Sequence, residues 1–231
     1  QRDPKLCWAV NVGGVENLLD AATRMQRAPW IVFASSREVY GNPQRLPVDE
    51  NACWRPLNAY AQSKVAGEQL IAAARRRGLR ATTVRFSNVY GSAQDHADRV
   101  VPAFARAAVD GGDIVVRGGV QRLDFTHVDD VSRGVARLIA LLSAGAALPP
   151  PIHFASGRGT SLLELAQTLI GLGGRPRSVS TTAPSGLHAQ CFVGNARRAW
   201  QWLGWRPEVS LEYGLRQLMA ALRGQPPFFS P

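Results

Sequence analysis

The sequence predicts a doubly wound α/β fold, in which helices cover both faces of a parallel sheet. A short continuous apolar run at residues 30–34 and a strand-like segment at 81–86 are typical of strands buried on both faces of such a sheet. Between them lie stretches with apolar residues at helical spacing, at residues 6–25 and about 58–77. Strands that alternate with helices in this way favour parallel pairing through helical crossovers.

The remaining elements continue the same alternation along the chain. Strands are predicted at residues 30–34, 81–86, 114–117 and 152–154. Helices are predicted at residues 6–25, about 58–77, 100–109, 128–142, from Ser161 onwards, about 196–203 and about 211–222. Ser161 is the expected N-cap of its helix, because Glu164 follows three residues later as in a capping box. A polar loop with prolines covers residues 41–56.

Composition excludes several classes of protein. The chain has 231 residues, 45% of them hydrophobic, which is enough for one sizeable core and a small second lobe. The net charge is +10, but the arginines are scattered and their only run, residues 75–77, falls at a helix end, where cations suit the dipole. We therefore expect no nucleic-acid partner. The longest apolar stretch, about 138–148, is too short to span a bilayer, so no membrane partner is expected.

The cysteines indicate a reducing compartment. Cys7, Cys53 and Cys191 are widely spaced, odd in number and form no metal-binding spacing such as C-x-x-C. They are interpreted as reduced thiols of a cytoplasmic protein, and no metal site is expected.

Tyr60 and Lys64 form the most informative pair in the chain. Residues four apart on a helix project from one face. A free phenol titrates near ~10, and a neighbouring ammonium favours the phenolate, so such a pair can exchange a proton with a substrate hydroxyl. Ser36, at the end of the strand predicted over 30–34, could hold the same oxygen. A Y-x-x-x-K spacing also occurs by chance on solvated helices, so the surrounding motifs decide its meaning.

Six segments occur in an order that has a known parallel. They are N-V-G-G-V-E-N from Asn11, S-S-R-E-V-Y-G from Ser35, Y-A-Q-S-K from Tyr60, R-F-S-N-V-Y-G from Arg85, D-F-T-H-V-D-D-V from Asp124, and L-G-W-R-P from Leu203. This order resembles the extended short-chain dehydrogenase/reductase family of nucleotide-sugar epimerases and dehydratases. The resemblance runs nearly end to end.

The resemblance implies roles for individual residues. Tyr60 would be the general acid or base, Lys64 would lower the pKa of Tyr60, and Ser36 would polarise the reacting oxygen. The other implied positions are auxiliary residues Glu38 and Asn11, cofactor contacts from Ser35, Tyr60, Lys64 and Phe86, and substrate contacts from Asn88, Arg99 and Arg122. Asn11 is equally well explained as a packing residue. The implied cofactor is NAD or NADP, and the implied substrate is a nucleotide-sugar.

The resemblance also implies an organisation. Residues 1–91 are interpreted as the remainder of a Rossmann-like dinucleotide-binding domain. Residues 92–231 are interpreted mostly as a smaller C-terminal substrate lobe, with segments of about 114–155 returning to the Rossmann sheet. Helices 6–25 and 58–77 are the expected homodimer contact.

Arg37 restricts which of the family's reactions is expected. The 4,6-dehydratases of the family have Asp-Glu after the catalytic hydroxyl residue, whereas this chain has Arg37 and Glu38. Elimination of water needs a proton donor, and a guanidinium does not give up its proton at useful pH. An epimerase is therefore the first hypothesis, and a 4-ketoreductase is the alternative.

The chain departs from the family at two places. No glycine-rich G-x-x-G-x-x-G turn is present, so we interpret the chain as a fragment or degenerate member and expect weak dinucleotide binding, which titration with NAD⁺ and NADP⁺ measures. A non-catalytic remnant or partner subunit is the rival interpretation, and the DNA upstream of Gln1 discriminates the two. The phosphate-binding arginines of the family align with Leu123 and Pro184. The arginines that could compensate are Arg117, Arg122, Arg158 and Arg177.

Overall fold

The structure, a computed structural model, describes residues 3–119, 121–183 and 191–225. Its helices are α1 (Pro4–Trp8), α2 (Gly14–Arg24), α3 (Ala59–Arg76), α4 (Val100–Asp110), α5 (Val128–Ser143), α6 (Leu162–Gly171), α7 (Arg197–Leu203) and α8 (Leu211–Leu222). Its strands are β1 (Ile31–Ser36), β2 (Ala81–Phe86), β3 (Asn88–Tyr90), β4 (Asp113–Arg117), β5 (Arg122–His127), β6 (Ile152–Phe154), β7 (Gly159–Ser161) and β8 (Ser178–Thr182). A π-helical turn, Ala9–Gly13, joins α1 to α2, and a 3₁₀ turn, Arg37–Tyr40, follows β1.

The first sheet has helices on both faces. Its strands are parallel in the order β1-β2-β6. Phe33 packs with α2 and α3, whereas the preceding residue, Val32, packs with α5. Because successive side chains of a strand point to opposite faces, these helices cover opposite sides of the sheet. The predicted doubly wound α/β class is confirmed.

The second lobe has its own core. Strands β3, β5 and β7 form a mixed sheet, and β4 pairs with β8. Helices α4, α6 and α8 bury apolar side chains against these strands. Among the described residues of 114–155, β6 pairs with the first sheet and α5 packs on it, whereas β4 and β5 pair in the second lobe. The division at residue 91 stays a prediction.

Several strands escaped the sequence analysis for physical reasons. β3 and β7 have three residues each, too few to show a period. β5 contains Arg122 and Asp124, and β8 is polar and exposed along its length. The elements with a strong period agree with prediction to within about two residues, and the capping box of Ser161 and Glu164 is present.

Close packing places α3 directly on β1. A Cβ atom at Gly67 would lie 2.4 Å from Cζ of Phe33, a distance that real contacts do not reach. Glycine therefore allows the helix to approach the strand more closely than any other residue would. Ser36 ends β1 and pairs in register with Phe86, the last residue of β2. Helix α3 thus begins beside the carboxyl ends of two parallel strands.

Candidate active site

Ser36 and Tyr60 meet at the end of β1. Ser36 caps the 3₁₀ turn, and its Oγ accepts a hydrogen bond of 3.2 Å from the Glu38 amide. Asn58 caps α3 by accepting from the Ala61 amide at 2.9 Å, which fixes the first turn that carries Tyr60. The Tyr60 side chain is hydrogen-bonded to Ser36. The structure therefore brings together the two hydroxyl groups that the sequence singles out.

Lys64 lies one turn after Tyr60 on α3. Its Nζ donates to the Ala34 carbonyl at 2.9 Å and lies 5.5 Å from the centroid of the Tyr60 ring. The same nitrogen is 5.1 Å from the centroid of Phe33. An ammonium group over aromatic rings is stabilised by their quadrupoles. The strand and the first turns of α3 together position Lys64.

Burial dominates the titration of this pair. It raises the pKa of the Tyr60 phenol, and the Glu38 carboxylate adds to the rise, while the hydrogen bond from Ser36 and the Arg99 guanidinium oppose it. Burial also lowers the pKa of the Lys64 ammonium. The expectation that Lys64 brings the Tyr60 pKa below its ordinary value is thus corrected. Desolvation outweighs the favourable charges, so the phenol holds its proton strongly.

A cavity of about 780 Å³ opens in front of Ser36 and Tyr60. Its volume falls in the range of small-molecule sites. The lining residues come from both lobes: Ser35, Ser36, Arg37, Glu38, Asn58, Tyr60, Phe86, Ser87, Asn88, Val89, Asp95, Arg99, Val100, Val101, Pro102 and Phe125. The hydroxyl pair therefore faces a space large enough for a sugar derivative.

Arg37 and Glu38 form an ion pair inside this cavity. The Arg37 Nη2 lies 2.9 Å from Oε1 of Glu38, and its Nε donates to Oδ1 of Asn88 at 3.0 Å. Desolvation lowers the pKa of Arg37, against the opposing effect of Glu38. Asn88 in turn donates to the Asp124 carbonyl at 2.9 Å. Asn88 is thus oriented at both ends of its amide in the cavity that Ser36 and Tyr60 also line.

Asn11 is linked to Tyr60 by hydrogen bonds through an intervening residue. It lies in the π-helical turn and donates to Oγ of Ser63 at 2.9 Å and to Sγ of Cys7 at 3.4 Å. Ser63 donates to the Tyr60 carbonyl at 2.8 Å. Asn11 is therefore linked to the Tyr60 backbone through one hydroxyl, and π-helical turns recur at functional sites.

Besides Tyr60 and Lys64, Ser35 and Phe86 are the expected cofactor contacts, and they differ in accessibility. Ser35 lines the cavity, but its hydroxyl donates inwards to Oε1 of Glu68 at 2.5 Å. Phe86 lines the cavity at the end of β2 and stacks on Phe154, with 6.2 Å between ring centroids. Phe86 is thus available as an apolar platform.

The two expected substrate arginines are separated. Arg99 lines the cavity, is 59% exposed and lies 3.6 Å from Asp95. Arg122 is absent from the cavity lining among the described residues; it donates to the Gly159 carbonyl at 2.8 Å and pairs with Glu164 at 3.2 Å. It is thus engaged at the β5–β7 edge. Pro184, where the family has an arginine, lies outside the described residues.

The sequence analysis assigned no role to two buried groups. Asp124 accepts hydrogen bonds from the amide and hydroxyl of Ser156 and from the Gly157 amide. Glu68 forms a bidentate pair with Arg85. Glu68 could have been found because it follows Tyr60 and Lys64 at four-residue intervals, and Asp124 because it begins one of the six segments.

Two further findings concern metals and membranes. Within residues 3–119, 121–183 and 191–225, no group of three or more His, Cys, Asp or Glu side chains could hold a metal ion. Among the described helices, none has the length and apolar character that crossing a bilayer requires.

Comparison with known proteins gives consistent matches. The family model described as "NAD dependent epimerase/dehydratase family" matches residues 1–149. A putative UDP-glucose 4-epimerase of Methanocaldococcus jannaschii is 32% identical over 91% of this chain and 68% of its own length. A dTDP-glucose 4,6-dehydratase of Actinoplanes sp. is 31% identical over 93% of this chain and 66% of its own length. The chain thus spans about two thirds of these relatives.

A solved structure agrees with these relatives. MoeE5 in complex with UDP-glucose and NAD superposes with a TM-score of 0.83 and 27% sequence identity, over 93% of this chain and 71% of that one.

Proposed function

This chain belongs to the NAD dependent epimerase/dehydratase family, and we propose that it carries the proton-transfer site of a nucleotide-sugar epimerase. The observation that carries the proposal is the hydrogen-bonded pair of Ser36 and Tyr60, which lines the cavity, with Lys64 one turn along α3. A relative named as a UDP-glucose 4-epimerase and a neighbour that holds UDP-glucose support a UDP-hexose as the substrate class.

The chain's own residues would move and hold the proton. Tyr60 would exchange a proton with the sugar hydroxyl, while Ser36 would donate a hydrogen bond to the same oxygen as it becomes a carbonyl. Because burial raises its pKa, Tyr60 holds its proton, and cations such as Arg99, which lower that pKa, favour the phenolate that accepts a proton from the sugar hydroxyl. Asn88, held by Arg37, would orient the sugar in the cavity.

The described residues fit the nicotinamide-ribose half of NAD. A phenol and an ammonium group, Tyr60 and Lys64, offer hydrogen-bond donors for ribose hydroxyls, and Phe86 offers an apolar surface at the carboxyl ends of the strands. When bound there, the nicotinamide would supply hydride acceptance and return at the carbon whose hydroxyl Tyr60 deprotonates.

Arg37 supports epimerisation over dehydration. A dehydratase needs an acid to protonate a leaving hydroxyl, and the position beside Ser36 carries a guanidinium paired with Glu38. The pair ties up the one carboxylate next to Ser36, although dehydratases are among the relatives. A 4-ketoreductase remains the alternative, because it needs the same Ser36, Tyr60 and Lys64.

Assembly and location belong to the same proposal. The π-turn and its flanking helices carry exposed apolar side chains, notably Trp8 and Val10, which favour a homodimer through α1, α2 and α3. Cys7, Cys53 and Cys191 are free thiols, which suits a cytoplasmic location.

The test uses the protein expressed from its complete gene, with a UDP-hexose deuterated at C4 and catalytic NAD⁺. An epimerase retains the deuterium at C4 with inverted configuration and consumes no cofactor. A 4-ketoreductase consumes one equivalent of reduced cofactor on a 4-keto sugar and fails the first assay. Absence of both reactions, with the protein folded, contradicts the proposal and favours a non-catalytic partner subunit.

A further inference from the structure

A buried ion pair lies beneath the catalytic face of α3. Tyr60, Lys64 and Glu68 follow one another at four-residue intervals, so they form one stripe along the helix. Both Glu68 oxygens bind Arg85 of β2: Nε at 2.8 Å from Oε1, and Nη2 at 2.6 Å from Oε2. The two side chains are only 3% and 2% exposed. This bidentate pair fixes both the distance and the rotation of α3 against the sheet.

The pair is connected to the chain on both sides of Ser36. Before it, Ser35 donates to Oε1 of Glu68 at 2.5 Å. After it, Tyr40 ends the 3₁₀ turn, and its hydroxyl accepts from Nη1 of Arg85 at 2.5 Å. The same nitrogen donates to the Glu50 carbonyl at 2.7 Å. Ser36 is therefore held between two residues that the ion pair itself anchors.

The far end of the network reaches His153 of β6. The Tyr40 hydroxyl lies 2.6 Å from Nε2 of His153, and the His153 amide donates to Oε1 of Glu50 at 3.0 Å. Burial, helped by the Arg85 charge, lowers the pKa of His153 to about 3. Because Tyr40 accepts from Arg85, its proton is directed to His153, whose Nε2 is then the acceptor. Hydrogen bonds thus link the ion pair through Tyr40, in the turn after β1, to a neutral imidazole on β6.

Stability alone does not require this arrangement. Burying two charges is expensive, and replacing such a pair with apolar residues of similar volume is often neutral or stabilising. Apolar contacts are non-directional, so they tolerate sliding and rotation of the helix on the sheet. A bidentate ion pair has a fixed geometry and does not. A slide of α3 along β1 would carry Tyr60 and Lys64 away from Ser36.

We propose that Glu68 and Arg85 are positioning residues, which hold α3 on β1 and β2 so that Tyr60 and Lys64 stay opposite Ser36. They act through the helix and touch no substrate. The inference rests on the proposed function only for the catalytic meaning of Tyr60 and Lys64; the positioning itself is a property of the folded chain.

The low lysine content gives a direct measurement. Lys5 and Lys64 are the only lysines, so a protein labelled with [ε-¹³C]lysine shows two resonances, which Lys5→Arg assigns. The pKa of Lys64 reports its burial against Phe33 and Ala34. The decisive variant is Glu68→Gln with Arg85→Met, which removes both charges together and approximately keeps their volume.

The expected result is a rise of the Lys64 pKa towards the ordinary lysine value of about 10.4. Loss of the Glu68 charge lowers the Lys64 pKa and loss of the Arg85 charge raises it, so these direct effects oppose each other. A rise of the Lys64 pKa therefore reports that water has gained access to Lys64. Ser35→Ala, which removes a single hydrogen bond to Glu68, should shift the pKa in the same direction by less. This second variant decides the outcome where the double variant fails to fold.

Asp130→Asn is the matched control. Asp130 is a buried carboxylate that pairs with Arg133 and accepts from the amides of Glu208 and Val209. Its substitution should lower stability without moving the Lys64 pKa. A folded double variant with an unchanged Lys64 pKa overturns the inference, as does an equal rise in the control. If the double variant shifts the Lys64 pKa but the wild-type protein has no epimerase activity, the proposed function is refuted and the positioning role stands.

Discussion

The two walls of the cavity are held together by different kinds of polar contact. The first wall, which carries Ser36 and Tyr60, is fixed by the ion pair of Glu68 and Arg85. The second wall, which carries Asn88 and Phe125, is fixed by Asp124. The hydrogen bonds that Asp124 receives come from the Ser156 amide and hydroxyl, the Gly157 and Gly194 amides and the Thr126 hydroxyl.

Under the proposed function, the first wall carries the reacting groups and the second wall binds the sugar, so the difference in contacts matches a difference in task. The first wall must keep groups from a strand and a helix within hydrogen-bond distance, and a bidentate pair gives that precision. In the second wall, loops and strand ends converge on the Asp124 carboxylate. A carboxylate can accept hydrogen bonds from main-chain donors in several directions.

The largest effect should fall on chemistry and only on the first wall. Tyr60→Phe removes the proton donor and should lower kcat by roughly 10²–10⁴-fold. Asn88→Ala on the second wall should act mainly on KM, because it removes binding that is shared by ground state and transition state. Steady-state kinetics of the protein from its complete gene measure both, with Tyr213→Phe on α8 as the control. A Tyr60→Phe variant with near-normal kcat would refute the assignment.

Removal of one carboxylate from each wall should differ in its effect on stability. Glu68→Gln leaves Arg85 buried without its charged partner and should lower the free energy of unfolding by about 3–5 kcal/mol. Asp124→Asn leaves some amide donors unpaired and should cost about 1–3 kcal/mol. Urea unfolding of the two variants gives the comparison. Equal losses, or a larger loss for Asp124→Asn, would remove the distinction between the walls.

Acid should weaken the first wall through His153. Its pKa in the folded protein, about 3, lies below the ordinary value of about 6.5, so the unfolded chain binds a proton more readily. The free energy of unfolding should therefore fall as the pH drops from about 6.5 towards 3, by up to about 1.4 kcal/mol per pH unit. His153→Gln should remove this contribution, while His96→Gln at an exposed position should not. Identical pH slopes in wild type and His153→Gln contradict the prediction.

The smallest effect should come from the contact between α3 and β1. Gly67→Ala places a methyl group against the Phe33 ring and should cost about 1–3 kcal/mol by overpacking. Gly171→Ala in α6 meets no atom within 4 Å and serves as the matched control, with a stability equal to or slightly above wild type. Thermal unfolding followed by circular dichroism distinguishes them. Equal melting temperatures would mean that the helix can move off the strand freely.

The strongly periodic elements were predictable because their signal is local. Helices α3, α5 and α8 and strand β2 agree with the sequence analysis to within a residue or two at their ends. Strands β3 and β7 were not predicted, because three residues show no period and their pairing depends on β5. The π-turn at Ala9–Gly13 was also missed, since the apolar pattern runs through it unbroken.

In the candidate site, too, features within one element were predictable and features that depend on distant elements were not. Tyr60 and Lys64 share a helix, so their spacing alone brought them together in the sequence, and Ser36 followed from the motif around it. The separation of Arg99 from Arg122 could not be predicted from the sequence, because it depends on how β5 pairs with β7. The raised pKa of Tyr60 likewise depends on burial by residues from other elements.

The amino-acid order by itself determined the α/β class and the succession of periodic elements, because both depend on neighbours within one or two turns. It also singled out Ser36, Tyr60 and Lys64 as candidate proton-transfer residues, through the motifs around them. The tertiary structure alone decided that Glu68 pairs with Arg85, that Asp124 gathers amides from residues 156, 157 and 194, and that desolvation governs Tyr60. The physical reason is range. Hydrogen bonds and burial join positions far apart in the chain, and no local pattern encodes which distant partner will arrive.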